Sequence, residues 1–164
     1  MFEVLFPISL IVVLLLGLFV IWKINSRKYI SSFTVASAYD AWTQDKLLER
    51  LWGEHIHLGF YPLGKNNIDF RKAKVQFVHE LVKWSGLDKL PKGSRILDVG
   101  CGIGGSSRIL AKYYGFCVTG ITISPAQVKR ARELTPSGLS CNFQVMDALD
   151  LKFEDGSFLS LIHI

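Results

Sequence analysis

The stretch that decides the fold is Ile96-Leu97-Asp98-Val99-Gly100-Cys101-Gly102-Ile103-Gly104-Gly105. It reads as an apolar strand that ends in an acidic residue, then a glycine-rich turn, then the start of a helix. Glycines permit positive φ angles and a close approach of the backbone to a ligand. The helix that follows offers unpaired N–H groups and the positive end of its dipole. The pattern predicts a loop that holds a nucleotide-like cofactor, with Asp98 placed to bind a cationic group such as the amino group of S-adenosylmethionine.

A dinucleotide-binding enzyme is the main alternative, because Gly100, Gly102 and Gly105 also fit the pattern G-x-G-x-x-G. That fingerprint expects an acidic residue about 20 residues further on, at the end of the next strand. The next predicted strand, Phe116–Ile121, is followed by Thr122-Ile123-Ser124 and carries no carboxylate. An NAD site also has no need of Asp98. The sequence therefore favours a methyltransferase over a dehydrogenase.

The N-terminus carries the longest apolar run. No charged residue occurs from Val4 to Trp22, and Lys23, Arg27 and Lys28 follow. A bilayer is spanned by about 20 apolar residues, and basic residues stay on the cytoplasmic side. A cleaved signal peptide is disfavoured, because the first three residues lack a basic side chain. We expect a single-pass N-terminal transmembrane helix over residues 1–24, with the soluble part on the cytoplasmic face.

Composition excludes two classes of partner. The net charge is +5, but the basic residues form no stripe interleaved with aromatics, so no nucleic-acid binding is expected. The three cysteines, Cys101, Cys117 and Cys141, form no C-x-x-C pair and have no histidine cluster at metal spacing. No metal site is expected, and the cysteines are interpreted as small, reduced core residues.

Beyond the anchor, strand and helix patterns alternate. Helical spacing of apolar residues is found in Tyr39–Trp52 and in Ile68–Trp84, the second with Asn67 or Asp69 as a cap and Gly86 at its end. The predicted strands are Arg95–Val99, Phe116–Ile121 and Ser140–Val145, with helices near Gly105–Tyr114 and Pro125–Leu134. This is a β-α-β-α-β order, which predicts an α/β fold: the first half of a Rossmann-like, doubly wound parallel sheet.

The C-terminal residues allow two interpretations. Asp155-Gly156-Ser157-Phe158 indicates the approach to a fourth strand, which would lie beside the first. Leu159–Ile164 is interpreted as a non-native tail, of the kind a translated sequencing adapter gives, with a short natural strand as the alternative. The expected organisation is an anchor over 1–24, a linker over 25–37, a helical lid segment over 38–93, a partial cofactor-binding domain over 94–158 and the tail over 159–164.

Several blocks together resemble one enzyme family. They are Ala38-Tyr39-Asp40-Ala41-Trp42, the run Trp52-Gly53-Glu54-His55-Ile56-His57-Leu58-Gly59-Phe60-Tyr61, the glycine block extended to Arg108, and Gly120-Ile121-Thr122-Ile123-Ser124-Pro125-Ala126-Gln127. From about Ser31 to Gly156 the chain resembles the class I S-adenosylmethionine-dependent methyltransferases of tocopherol and plastoquinone synthesis, the methyl-phytyl-benzoquinol and γ-tocopherol methyltransferases. The resemblance implies C-methylation of a membrane-soluble prenylated benzoquinol. It covers about half of the family's catalytic domain, so the fragment by itself is expected to be inactive.

The resemblance also implies a set of cofactor contacts. Tyr39 would close over the methionine end, and the ribose hydroxyls would meet the backbone of Ile121–Ile123 and the side chain of Gln127. Asp147, next to Ala148, matches the acid that accepts a hydrogen bond from the adenine amine. The full predicted cofactor set is Tyr39, Asp98, Gly100, Cys101, Gly102, Gly104, Gly105, Ile121, Thr122, Ile123, Gln127, Asp147 and Ala148. Gln127 as a solvated helix residue and Asp147 as a turn former remain alternatives.

His55 and His57 are the candidate catalytic residues. A phenol ring becomes a better carbon nucleophile as its hydroxyl loses a proton, which suits a general base that titrates near neutral pH. Two residues apart in an extended segment, both imidazoles point the same way, and Glu54 could orient one of them. The alternative is a purely structural lid in which each histidine is only hydrogen-bonded.

Two alternative functions remain open at this stage. One is another membrane-associated methyltransferase that acts on a tocopherol, a sterol or another lipid. The other is a non-catalytic, anchored fragment that only binds.

Overall fold

The computed structural model describes residues 12–22, 32–64 and 67–163. The chain divides into two compact units, Met1–Val35 and Ala36–Ile164. The predicted fold-forming stretch and all predicted site residues belong to the second unit.

The predicted transmembrane helix over residues 1–24 is corrected by the structure. Residues 12–22 are helical. Among the described residues, no helix is both long and apolar enough to cross a membrane. Residues 1–11 and 23–31, which include both ends of the expected anchor and the first part of the expected linker over 25–37, lie outside the described residues.

A parallel sheet forms the centre of the second unit. Its strands are β1 (Arg95–Val99), β2 (Cys117–Thr122), β3 (Cys141–Val145) and β4 (Ser160–Ile162). Their order is β3-β2-β1-β4, and each neighbouring pair is parallel. The chain moves outward from β1 to β3 and then returns to the other side of β1, so the topological switch point lies between β1 and β4. The Rossmann-like α/β sheet and the position of the fourth strand are as predicted.

Besides the helical residues 12–22, the described residues form five helices: α1 (Ser32–Gln44), α2 (Leu47–Trp52), α3 (Phe70–Ser85), α4 (Gly105–Tyr114) and α5 (Pro125–Leu134). A 3-10 turn, Leu87–Lys89, links α3 to the turn before β1. One buried apolar group joins α3 and α4 to β1, β2 and β4, and a second joins α5 to β3. Ile162 of β4 is 4% exposed, so the C-terminal strand contributes to the first group.

The ends of the helices show how local sequence sets the elements. The Asp69 carboxylate accepts hydrogen bonds from the backbone N–H groups of Arg71 and Lys72, and Gly86 ends α3 with a φ of 74°. The Ser124 hydroxyl caps α5, with Pro125 in its first turn. Capping side chains satisfy N–H groups that have no partner within the helix.

The segment before α3 differs from the expectation. The spacing in Tyr39–Trp52 predicts one helix, but α1 begins at Ser32, inside the expected linker, and the helix breaks at Asp45–Lys46. Lys46 has a φ of 56°, and the Asp45 carboxylate accepts a hydrogen bond from the Leu47 N–H. This local hydrogen bond competes with helix continuation and turns the chain toward the sheet.

Candidate cofactor and active site

A cleft of about 480 Å³ lies at the carboxyl ends of the strands. Open parallel sheets bind their ligands at this edge, next to the switch point. The predicted residues that line it are Tyr39, His55, His57, Gly100, Cys101, Gly102, Gly105, Ile121, Thr122, Ile123, Gln127, Asp147 and Ala148. Asp98 and Gly104 are the predicted residues that do not. The structure therefore brings almost the whole predicted set to one cleft.

The floor loop, residues 98–105, presents glycine backbone to the cleft. Gly100 and Gly102 have φ angles of 70° and 54°, which side chains rarely adopt. A Cβ added to Gly102 would meet no atom within 4 Å. The space above this glycine is therefore open to a ligand.

Gly104 and Gly105 are required by packing. A Cβ on Gly104 would lie 2.6 Å from the Phe143 ring. The missing side chain therefore makes room for the core residue Phe143 and not for a ligand. A Cβ on Gly105 would lie 2.8 Å from Cε1 of His55 and 2.9 Å from the carbonyl oxygen of Glu54. Gly105 is thus where the floor loop and the segment above it touch.

Asp98 lies beneath the cleft, not on its surface. It is 2% exposed, and its carboxylate accepts a hydrogen bond of 2.5 Å from the Ser107 hydroxyl. Burial raises the pKa of Asp98 to about 6, while the hydrogen bond from Ser107 acts in the opposite direction. At neutral pH the carboxylate is ionised in a site that disfavours the charge, so it favours a cation nearby.

The end of β2 forms a closed hydrogen-bond chain. The Thr122 hydroxyl donates to Oε1 of Gln127 at 2.7 Å, and Gln127 is 5% exposed. The Ser124 hydroxyl accepts from the Gln127 N–H and donates to the Asp40 carboxylate. Asp40 also accepts from the Ala126 N–H at 3.0 Å. Asp40 therefore fixes α1 to the start of α5, next to Tyr39, a role that the sequence did not indicate.

Asp147 forms a turn and also lines the cleft. It lines the cleft after β3, and its Oδ1 accepts a hydrogen bond from the Leu149 N–H at 2.9 Å, which makes it a turn former. It is exposed, so its second carboxylate oxygen is available to a ligand. On the opposite wall, Tyr39 packs edge-on against Trp42 with ring centroids 5.4 Å apart.

The lid, residues 53–60, covers the floor loop and contains neither helix nor strand. Phe60 donates its N–H to the Ala73 carbonyl at 2.9 Å. A Cβ on Gly59 would lie 2.6 Å from the Cβ of Ala73, so this glycine allows the lid to contact α3 closely. His55 and His57 both lie in this segment, half-buried.

Basic side chains from the helices hold the lid and the end of α2. The Lys74 ammonium, 4% exposed as a residue, donates to the carbonyls of Trp52 at 3.2 Å and of His55 at 2.7 Å. The Arg71 guanidinium donates to the carbonyls of Arg50 and Leu51. The carbonyls of Arg50 and Leu51, at the end of α2, have no partner within the helix.

The sequence suggested that Glu54 could orient a histidine. In the structure its carboxylate pairs with Arg108 instead. The two side chains meet at 2.6 Å. The Arg108 side chain is 10% exposed, whereas that of Glu54 is 46% exposed. Arg108 also donates to the Ile103 carbonyl at 2.8 Å, so one guanidinium contacts the lid and the floor loop together. The partners are far apart in sequence, and no local pattern could have predicted the pair.

Other residues that the sequence did not assign to the cofactor also line the cleft: Val99, Ser106, Ile56, Met146 and His163. Val99, Ser106 and Met146 directly flank predicted residues, so extending each motif by one position would have found them. His163, in the segment interpreted as a tail, donates from Nδ1 to the Val99 carbonyl at 2.7 Å. The interpretation of that tail as non-native stays a prediction.

The chain is similar to known methyltransferases. A family profile described as a methyltransferase domain matches residues 96–163. The 2-methyl-6-phytyl-1,4-hydroquinone methyltransferase of Synechocystis is 57% identical over 154 residues, which cover 92% of this chain and 46% of that protein. The chain is homologous to the quinol and tocopherol methyltransferases. The predicted family resemblance is thus confirmed.

Two further relatives define how far the match extends. The chloroplastic tocopherol O-methyltransferase of Arabidopsis thaliana is 40% identical over 122 residues, 68% of this chain and 35% of that protein. The crystal structure of magnesium protoporphyrin IX methyltransferase from Synechocystis, solved with bound S-adenosylmethionine, has a TM-score of 0.58 at 23% identity and shares the fold over 83% of this chain and 62% of that one. The chain spans about half the length, or less, of the curated relatives it matches.

Proposed function

We propose that this chain is the cofactor-binding part of an S-adenosylmethionine-dependent C-methyltransferase that acts on a lipid-soluble prenylated benzoquinol. One observation carries the proposal. The predicted site residues, drawn from the lid, α1 and three strand ends, line a single cleft at the switch point of the sheet. The homology to a hydroquinone methyltransferase supports the substrate class.

The chemistry of the cleft suits this cofactor. When bound, S-adenosylmethionine supplies an electrophilic methyl group on a positively charged sulfur. The open space above Gly102 would accept its methionine part, and the ionised Asp98 beneath would favour its positive charge. Thr122 and Gln127 would hold the ribose side, and Asp147 and Ala148 the adenine.

The lid supplies the acid–base groups. Burial lowers the pKa of His55 to about 4, with His57 adding to the effect, and burial also lowers the pKa of His57. Both imidazoles are therefore neutral at pH 7, and a neutral imidazole has one nitrogen lone pair that can accept a hydrogen bond from a phenol. A closed lid also excludes water, which strengthens the electrostatic interactions below it.

Cofactor binding is the first test. Isothermal titration of the chain with S-adenosylmethionine and with S-adenosylhomocysteine is expected to give micromolar dissociation constants. Gly102→Val, which fills the open space above the floor loop, is expected to abolish binding. Gly93→Val is the matched control, because Gly93 has a φ of +83° and equally open surroundings but lies outside the cleft. Equal loss in both variants, or no binding by the wild type, would contradict the proposal.

The reaction is the second test. The chain by itself is expected to bind the cofactor without turnover, because its relatives are about twice its length. A chimera with the part of the Synechocystis relative that this chain does not match is expected to transfer labelled methyl from S-adenosylmethionine to methyl-phytyl-benzoquinol. Transfer to γ-tocopherol instead would favour the second candidate, a tocopherol methyltransferase, which the 40% identity to the Arabidopsis enzyme supports.

A further inference from the structure

The two lid imidazoles form one hydrogen-bonded pair. Nε2 of His57 lies 3.1 Å from Nδ1 of His55, and the ring centroids are 5.0 Å apart. Nδ1 of His57 lies 2.7 Å from the carbonyl oxygen of its neighbour Leu58. On its other side, the His57 ring packs on Phe77 at 5.4 Å. The pair is therefore ordered along a single direction, from His55 through His57 to a backbone carbonyl.

Hydrogen-bond chemistry fixes the tautomers of this pair. A carbonyl oxygen only accepts, so Nδ1 of His57 must carry a hydrogen. In a neutral imidazole one nitrogen donates and the other accepts, so Nε2 of His57 is an acceptor. Nδ1 of His55 must then donate to it. The remaining nitrogen, Nε2 of His55, holds a lone pair instead of a hydrogen.

The surroundings keep the pair neutral and in place. The charged groups around it are the Lys74 ammonium, which holds the His55 carbonyl, and the Glu54–Arg108 ion pair beside His55. The edge of the His55 ring rests against Gly105. Partial burial disfavours the charged form of both rings, and the nearest carboxylate is already paired with Arg108.

We propose that the two histidines have different roles: His55 is the proton acceptor, through Nε2, and His57 is a positioning residue that fixes the tautomer of His55. This rests on the proposed function. The substrate O–H bond breaks as the N–H bond at Nε2 forms, and His55 becomes an imidazolium. Its Nδ1–H bond to His57 is retained in both states, and His57 stays neutral. The electron pair left on the phenolate oxygen activates the ring.

A corollary concerns protonation of His57. If His57 takes up a proton, both its nitrogens become donors. Nδ1 of His55 must then accept, and the hydrogen of His55 moves to Nε2, where no lone pair remains for the substrate. One proton on His57 therefore removes the base at His55.

Long-range nitrogen–proton NMR of the ¹⁵N-labelled chain tests the assignment without turnover. At pH 7.5 we expect a hydrogen on Nδ1 and a pyridine-type Nε2 in both residues. His57→Leu removes the acceptor, so His55 is expected to change to the form with a hydrogen on Nε2. His57→Gln places an amide oxygen within similar reach and is expected to keep the wild-type tautomer. A hydrogen on Nε2 of His55 in the wild type, or an unchanged tautomer in His57→Leu, would overturn the proposal.

A phenol probe tests contact with the acceptor. Trimethylhydroquinone, added with S-adenosylhomocysteine, is expected to shift the Nε2 resonance of His55 upfield and to leave that of His57 nearly unchanged. A shift at His57 larger than the shift at His55 would overturn the division of roles. If the tautomers are as stated but the chimera transfers no methyl group, the proposed function fails and the assignment within the pair stands.

Discussion

The floor loop and the lid are held in place in different ways. Residues 98–105 join a buried strand to a helix, and their conformation follows from glycines and backbone hydrogen bonds such as Cys101 N–H to the Ile121 carbonyl at 3.0 Å. Residues 53–60 have no regular structure, and side chains from α3 and α4 hold them. The comparison shows that one wall of the site is set by local sequence and the other by distant contacts, so the two should respond to different mutations.

The largest effect is expected at the floor, in Asp98→Asn. Removing the buried charge should weaken S-adenosylmethionine binding by about 100-fold, close to 3 kcal/mol. A carboxyl group whose pKa is raised is least stable when ionised, so above pH 6 the cofactor-free variant should unfold at a higher denaturant concentration. Calorimetric titration and urea unfolding at pH 8 measure both changes. Loss of binding together with loss of stability would indicate a structural role for Asp98 only.

Lys74→Met is expected to have the largest effect on the lid. The ammonium is buried and donates to two carbonyls, and leaving buried acceptors without a donor costs about 1–3 kcal/mol. Amide hydrogen exchange over residues 53–58 should accelerate at least tenfold, on the order of 1.4 kcal/mol, while β1 and β2 stay protected. Lys72→Met, on an exposed position of the same helix, is the control. Equal acceleration in the sheet would show that lid and floor are one unit.

Neighbouring glycines separate the two regions more finely. Gly105→Ala should displace His55 from the floor loop, so that the His55 pKa rises from about 4 toward its ordinary value as the ring is exposed. Gly104→Ala, against Phe143 and the Arg108 guanidinium, should destabilise the core by roughly 1–3 kcal/mol and change the titration of His55 less than Gly105→Ala does. NMR titration and thermal unfolding distinguish these outcomes. If the His55 titration changed in Gly104→Ala and not in Gly105→Ala, the distinction between floor loop and lid would be contradicted.

The smallest expected effect concerns the pH dependence of folding stability. His55 in the lid and Asp98 in the floor loop contribute to it with opposite sign. The pKa of His55 is lower in the folded state than its ordinary 6.5, so its contribution to stability is present above pH 6.5 and is lost as pH falls toward 4. The pKa of Asp98 is raised, so its contribution is favourable at low pH and is lost as pH rises from 3.8 toward 6. In the wild type these two contributions should therefore largely cancel between pH 4 and 6. Between pH 4 and 6, the folded state should become more stable with rising pH in Asp98→Asn and less stable with rising pH in His55→Gln.

The sequence predicted the floor better than the lid, for physical reasons. The bounds of α4 and α5 were predicted to the residue because caps and glycines are local signals. The position of Asp98 below the cleft could not be predicted, since it depends on the Ser107 hydroxyl across the turn. The Glu54–Arg108 pair and the contacts of Lys74 depend on how α3 and α4 pack. The prediction of a transmembrane helix was wrong, since no helix among the described residues is both long and apolar enough to cross a membrane.

Arg108 has a consequence for the rate at which ligands enter and leave. If the lid separated from the floor loop, the Arg108 guanidinium would keep its bond to the Ile103 carbonyl and lose its contact with the half-exposed Glu54 carboxylate. That separation would break one pair of opposite charges whose exposed member is Glu54, and dissolved salt favours it by screening. Ionic strength should therefore set the exchange rate of the cofactor more strongly than its affinity for the floor.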